Sequence, residues 1–307
     1  MIFKEIHGLT REEKGQILNR GGGVDPELVK EIIDEVRRRG DGALKEYTER
    51  FDGASLDSLR VGDEEFEEAM KGAGQEVVER IKEAHQNILA FHKRQMEEGW
   101  WYEESGRRLG QVVRPVEKVG CYIPGGKAFY PSSVLMAVTP ARVAGVDKIV
   151  CTTPPRSDGK VNEYTLAACV IAGVDEVYKV GGAQAIAALA YGTESIPKVD
   201  MVVGPGNVYV TAAKKAVFGD VGIDMLAGPS EVLIIADSSA NAAHVVYDVL
   251  AQAEHDSNAA CLLVTTSKKL AERVKEALEG LGDKAPEGLK NTAILIAKNL
   301  EEAVEFA

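Results

Sequence analysis

Apolar residues recur at intervals of three and four through most of the first 110 residues, which is the period of amphipathic helices. Asp25 is an N-cap type of residue directly before a proline, and this predicts a helix over residues 26–38. A longer helix is predicted over residues 75–95. His85 and His92 share its apolar side, and we interpret them as histidines at the edge of a core. The N-terminal region is therefore predicted to be mainly helical.

The pattern changes near Val112, where short apolar runs begin to alternate with helical segments. Residues 143–150 resemble residues 171–178, because each segment combines a helix end, a glycine and a short apolar run. Strands that alternate with helices at this spacing predict parallel sheets with right-handed crossovers. Further strands are predicted at residues 118–123, 199–203, 231–236 and 260–265, with helices at 240–254 and 268–280.

This alternation predicts an α/β fold with two modules of mostly parallel strands behind a mainly helical N-terminal region. We expect residues 1–120 to form the N-terminal part of a discontinuous first domain. Residues 121–230 are predicted to be an inserted second domain, and residues 231–307 the α/β continuation of the first.

Composition and charge exclude several classes of partner. The chain has 307 residues, 45% of them hydrophobic, and a net charge of −12, so it lacks the excess of basic residues that binds nucleic acid. No signal peptide and no apolar run of membrane-spanning length is found, so we expect a cytoplasmic protein without a membrane partner. The cysteines lie in apolar contexts, and all of them are expected to be buried and reduced: Cys121, Cys151, Cys169 and Cys261.

Three glycine-rich segments follow predicted strands: residues 124–126, 181–184 and 204–207. Ligands of open parallel sheets bind beyond the carboxyl ends of the strands, so these loops are expected to line one crevice. None of them is a G-x-G-x-x-G motif, and tight turns between strand and helix are the alternative interpretation. Gln184 and Asn207 follow such turns, where a side-chain amide can contact a ligand as donor or acceptor.

Gln252 and His255 provide an oxygen and a nitrogen ligand at the end of a predicted helix. Residues three apart lie about 60° apart on a helix, so both side chains can reach one metal ion. An ordinary polar helix edge has the same spacing. Ser230 follows Gly228-Pro229 where the chain is expected to re-enter the first domain. That position suits a contact with a small ligand held between the domains, although a turn serine is the simpler interpretation.

Taken together, five segments resemble the histidinol dehydrogenase family and occur in the family's order. They are Tyr122-Ile123-Pro124-Gly125-Gly126, residues 180–190, Gly204-Pro205-Gly206-Asn207, Ala227-Gly228-Pro229-Ser230-Glu231-Val232 and Gln252-Ala253-Glu254-His255. The resemblance implies incomplete Rossmann-like domains in a zinc-dependent, cytoplasmic homodimer. Such an enzyme oxidises L-histidinol to L-histidine through the aldehyde with two NAD in succession.

The resemblance also implies roles for individual residues. Tyr122, Gln184 and Asn207 would contact NAD. Gln252 and His255 would bind both zinc and substrate, and Ser230 would bind substrate.

The family's Glu-His base and its further zinc ligands have no counterpart in this sequence, which stops within a predicted helix. We therefore expect a C-terminally truncated member that is catalytically incompetent alone and binds zinc weakly. Two alternatives stay open. One is a relative that oxidises another small polar alcohol, and the other is a non-catalytic subunit for binding or dimerisation.

Overall fold

The structure is a computed structural model that describes residues 1–18, 24–125, 129–226, 231–254, 257 and 259–307. The chain separates into two compact units. Unit 1 contains Met1–Gly23 and Gly228–Ala307, and unit 2 contains Val24–Ala227. The α/β class predicted from the sequence is confirmed by the mostly parallel sheets.

The helices and strands of the described residues follow in chain order. The α-helices are α1 Arg11–Leu18, α2 Pro26–Arg39, α3 Asp41–Asp52, α4 Asp63–Gly72, α5 Gln75–His92, α6 Pro131–Val143, α7 Glu163–Ala172, α8 Gly182–Tyr191, α9 Val208–Val217, α10 Ala242–Ala253, α11 Lys268–Glu279 and α12 Leu300–Phe306. The strands are β1 Ile2–Glu5, β2 Trp100–Glu104, β3 Arg107–Gln111, β4 Lys118–Tyr122, β5 Lys148–Thr152, β6 Glu176–Tyr178, β7 Met201–Val203, β8 Gly222–Ile223, β9 Glu231–Ala236, β10 Ala260–Thr265 and β11 Thr292–Ile296.

Unit 2 is built on a parallel sheet of five strands in the order β6-β5-β4-β7-β8. Successive residues of β5 point to opposite faces, so Ile149 packs in the core under α6 and α7, while Val150 packs in the core under α2 and α8. Helices cover both faces, which explains why the strands are continuous apolar runs in the sequence.

Unit 1 contains a second parallel sheet, with four strands in the order β1-β11-β10-β9. All six residues of β10 are buried, because hydrophobic clusters lie on both of its faces. The bounds predicted for β9 and β10 are confirmed. Strands β1 and β11 were not predicted, since each is short and its pairing partner lies at the other end of the chain. The antiparallel hairpin of β2 and β3 was also not predicted.

The helices predicted near the N-terminus are confirmed, but they belong to a different unit from the one expected. Asp25 caps α2 by accepting a hydrogen bond from the backbone N–H of Glu27 at 3.0 Å. Helix α2 packs on α8 and α9, and it buries Val29 and Val36 against them. The first division of the chain therefore lies at residues 23/24 and not near residue 120, and the second lies at 227/228, close to the predicted 230.

Within the described ranges, the helices are too short or too polar to cross a bilayer. Cys121, Cys151, Cys169 and Cys261 are all buried and form no disulfides, as predicted.

Candidate functional site

Unit 2 contains a cavity of about 420 Å³ at the carboxyl ends of its parallel strands. The chain enters this sheet at β4, adds β5 and β6 on one side, and then places β7 on the other side of β4. The loops that leave β4 and β7 therefore diverge, and open α/β sheets bind ligands at such a point. Helices α2 and α3 provide the rest of the cavity wall.

The three residues that the sequence assigned to NAD all line this cavity. Tyr122 is the last residue of β4, Gln184 lies in the first turn of α8, and Asn207 precedes α9. They come from three separate loops, so only the fold brings them together. Their proximity is a finding of the structure, whereas their contact with NAD stays a prediction.

The residues assigned to substrate and zinc belong to unit 1. Gln252 is half-buried in the last turn of α10. Ser230 and His255, like Gly126 of the first glycine-rich segment, lie outside the described residues. Across the described ranges, no three His, Cys, Asp or Glu side chains are grouped so that they could hold a metal ion.

Tyr122 presents a neutral phenol to the cavity. Its side chain is only 4% exposed, and its hydroxyl oxygen accepts a hydrogen bond from the backbone N–H of Gly182 at 3.2 Å. Burial raises the pKa of Tyr122 to about 12; the hydrogen bond from Gly182 opposes this rise and the negative charge of Asp52 adds to it. The phenol therefore keeps its proton at neutral pH and can donate it to a ligand.

Gln184 is buried, and its side-chain amide makes no hydrogen bond within the described part of the chain. The residue is 1% exposed, and no hydrogen bond to its side chain is found among the described residues. Gly182 makes room for it, because an added Cβ at this residue would lie 2.6 Å from the Gln184 Oε1 atom. A buried amide without a partner is costly, so this side chain is suited to a ligand that provides one.

The side chain of Asn207 divides its two polar groups between the helix and the cavity. Its Oδ1 accepts hydrogen bonds from the backbone N–H groups of Tyr209 at 3.0 Å and Val210 at 3.1 Å, which caps α9. The sequence left both donor and acceptor available to a ligand. In the structure, the Asn207 Oδ1 atom is the acceptor that caps α9, so the side-chain NH₂ group is the donor that can contact a ligand.

A lysine and an aspartate that the sequence analysis did not single out hold the loop before Asn207. The Gly204 N–H donates to Asp224 Oδ2 at 2.8 Å, and the Gly204 carbonyl accepts from Lys214 Nζ at 2.9 Å. Lys214 is 2% exposed and also pairs with Asp224. Gly204 has φ +117, and an added Cβ would collide with the backbone oxygen of Tyr122. Lys214 and Asp224 lie ten residues apart without a recognisable motif, so the sequence carried no signal for this contact.

Asp52 places a carboxylate in the wall of the cavity. It is the last residue of α3, and its Oδ2 is buried without a hydrogen-bond partner in the described chain. Burial raises the pKa of Asp52 to about 6. Sequence reasoning missed this residue because an aspartate at the end of a polar helix is ordinary until the cavity around it is known.

Comparison with known proteins relates the chain to one family. Residues 24–307 match the family model described as histidinol dehydrogenase. The chain is 54% identical to the histidinol dehydrogenase of Methanocaldococcus jannaschii, over all of this chain and 74% of that protein. It is 47% identical to the enzyme of Methanosarcina mazei, over 73% of that protein. The crystal structure of histidinol dehydrogenase from Elizabethkingia anophelis superimposes on this chain with a TM-score of 0.88 at 35% identity. The match covers the whole of this chain and 73% of that structure.

Replacing Lys214 tests whether its contacts hold the loop. Lys214→Met removes the donor to the Gly204 carbonyl and leaves Asp224 without its cation, so the free energy of unfolding should fall by about 1–3 kcal/mol. Lys215→Met removes the same charge from the exposed neighbouring position and should change stability by less than about 0.5 kcal/mol. Denaturant unfolding followed by circular dichroism measures both. Equal effects would show that the Lys214 contacts contribute nothing specific.

The raised pKa of Asp52 predicts a pH dependence of stability. The ordinary value is 3.8 and the folded value about 6, so the folded state binds this proton more tightly than the unfolded state. The stability that Asp52 contributes is complete below about pH 4 and is lost as the pH rises through about 6. Asp52→Asn cannot titrate, so its stability relative to the original chain should increase over that range. Urea midpoints measured across the range, with Glu49→Gln as an exposed control on α3, should show the increase for Asp52→Asn only.

Proposed function

Because the chain belongs to the histidinol dehydrogenase family, we propose that it acts in histidine biosynthesis as an NAD-linked dehydrogenase of L-histidinol. The first oxidation converts the alcohol to the aldehyde, and the second converts the hydrated aldehyde to the carboxylate of L-histidine. Each step passes a hydride to one NAD, which is the chemistry that the cofactor supplies when bound. As the family resemblance implies, the enzyme would act in the cytoplasm as a homodimer.

The observation that carries the proposal is the meeting of Tyr122, Gln184 and Asn207 in one cavity of about 420 Å³. All three are neutral polar groups with hydrogen-bonding capacity facing a ligand. Tyr122 offers a phenol proton, Gln184 an amide that makes no hydrogen bond to the described residues, and Asn207 an NH₂ group. Neutral donors and acceptors at fixed positions suit the amide and hydroxyl groups of a dinucleotide.

The phosphates of NAD would bind close to the start of α8. The first turn of a helix carries backbone N–H groups without acceptors inside the helix, and these groups bind anions. Gly182, Ala183 and Gln184 form that turn, and all three line the cavity. The Gly182 N–H is used by Tyr122, so the following N–H groups are the donors for a phosphate.

The substrate and metal belong to unit 1 in this proposal. Gln252 and His255 bind zinc and substrate, and Ser230 binds substrate. Gln252 lies in the last turn of α10, and the family resemblance supports its assignment and that of His255. Bound zinc would supply Lewis acidity and would orient an amino alcohol.

Calorimetric titration of the full chain with NAD tests the cofactor site. Saturable binding is expected, and Gln184→Met should weaken it about five- to tenfold, because the NAD group that meets the amide loses its partner. Gln86→Met makes the same change on the exposed side of α5 and should leave binding unchanged. Binding of NAD that is unaffected by Gln184→Met, or no binding by the original chain, would contradict the proposal.

The same titration distinguishes substrates. L-histidinol added to the zinc- and NAD-loaded chain should bind more tightly than L-valinol, an amino alcohol without an imidazole ring. The reverse order would favour a family relative that acts on another polar alcohol.

Competition with a fluorescent zinc chelator tests the metal ligands. Zinc binding is expected to be weak, since two protein ligands leave much of the coordination shell to water. His255→Ala should weaken it at least about tenfold. His244→Ala should not, because His244 lies in the first turn of α10, about two turns before Gln252. Equal zinc affinities of the two variants would remove His255 from the site.

A further inference from the structure

Among the described residues, no partner stabilises the charge of Asp52. Its Oδ2 is buried without a hydrogen-bond partner in that part of the chain, and burial raises its pKa. It also ends α3, where the helix dipole is negative and disfavours an anion. Lys214, a buried cation of the same unit, shows the contrast, because it contacts both the Gly204 carbonyl and Asp224. A ligand that donates hydrogen bonds to this carboxylate would offset the cost of burying it.

The surroundings of Asp52 suit a nucleoside. Phe51 lines the cavity beside it, is 51% exposed, and stacks on Tyr47 with ring centroids 5.6 Å apart and nearly parallel planes. The guanidinium of Arg50 lies 5.3 Å from the centre of the Phe51 ring. An exposed aromatic face can stack with a base, and a carboxylate can accept both hydroxyls of the attached ribose.

We propose that Asp52 is the residue that selects the cofactor, by accepting hydrogen bonds from the vicinal hydroxyls of the adenosine ribose of NAD. This inference rests on the proposed function, because it assumes that the cavity binds a dinucleotide. It adds a residue that is separate from Tyr122, Gln184 and Asn207, and it assigns to that residue the choice between NAD and NADP.

The charges of the residues that line the cavity also favour NAD over NADP. Glu31 and Asp52 are carboxylates in its wall, and Arg50 is the cation among the described residues that line it. NADP carries an additional phosphate on the ribose 2′ oxygen, with a charge of about −1.5 to −2 at neutral pH. That group would replace a hydroxyl donor by an anion beside Asp52. The 2′-phosphate would therefore lose a hydrogen bond and gain repulsion.

Asp52→Asn separates these effects while it preserves the shape of the side chain. Calorimetric titrations of the full chain use NAD, NADP and 2′-deoxy-NAD, in which the adenosine ribose lacks its 2′-hydroxyl. In the original chain, NAD should bind at least about tenfold more tightly than either analogue. In Asp52→Asn, NAD should bind about tenfold more weakly, NADP more tightly than before, and 2′-deoxy-NAD almost as well as NAD. Glu49→Gln, on the exposed face of α3, should keep the original order.

The possible outcomes separate the two proposals. If the original chain binds NAD but Asp52→Asn leaves the ratio of NAD to NADP affinity unchanged, the role of Asp52 is overturned and the cofactor site stands. If Asp52→Asn weakens NAD and 2′-deoxy-NAD equally, Asp52 binds a group other than the 2′-hydroxyl, such as an amino group, and the inference is wrong. If the original chain binds NADP more tightly than NAD, the role of Asp52 is overturned, and Arg50 would be the residue that contacts the 2′-phosphate. If no dinucleotide binds, both proposals are wrong.

The raised pKa of Asp52 also predicts that Asp52→Asn stays folded, and thermal unfolding checks this.

Discussion

The reversal of strand order at β4 is the constraint on which the candidate site depends. Strands β5 and β6 extend the sheet to one side, and β7 and β8 extend it to the other. The loops after β4 and β7 must therefore separate, and helices on opposite faces keep them apart. Tyr122 ends one of these strands, and Asn207 follows the other. The cavity between these loops is thus a consequence of topology, and Lys214 and Asp224 keep its far side in place through Gly204.

Two buried charged groups of unit 2, Lys214 and Asp52, differ in whether the described residues provide them with hydrogen-bond partners. Lys214 is buried and has an acceptor in the Gly204 carbonyl and another in Asp224, so its charge stabilises the loop. The Asp52 Oδ2 atom has no such partner among the residues that the structure describes, and burial raises the pKa of Asp52 to about 6. Gln184 resembles Asp52 in this respect, because its buried amide makes no hydrogen bond in the described chain. Asp52 and Gln184 both line the cavity, so a bound ligand could provide hydrogen-bond partners for these two groups.

Local patterns predicted several of the helices and the central strands, because amphipathic periods and capping residues act over a few positions. The Asp25 cap of α2 and the bounds of β9 and β10 were confirmed. The pairing of β1 with β11 was not predicted, since it joins residues about 290 positions apart and neither strand has a strong pattern alone. The same reason explains the misplaced first boundary. The sequence of α2 shows which face is apolar but not that α8 and α9 cover it.

For the candidate site, the sequence by itself determined the family, the glycine turns and the residue types able to contact a cofactor. It could do so because such turns are short motifs that appear in a fixed order along the chain. Only the tertiary structure decided that Tyr122, Gln184 and Asn207 share one cavity and that Asp52 lies in its wall. It also decided that the side-chain oxygen of Asn207 caps α9. Burial, hydrogen-bond satisfaction and pKa depend on neighbours distant in sequence. They are therefore properties of the packed fold and not of any segment.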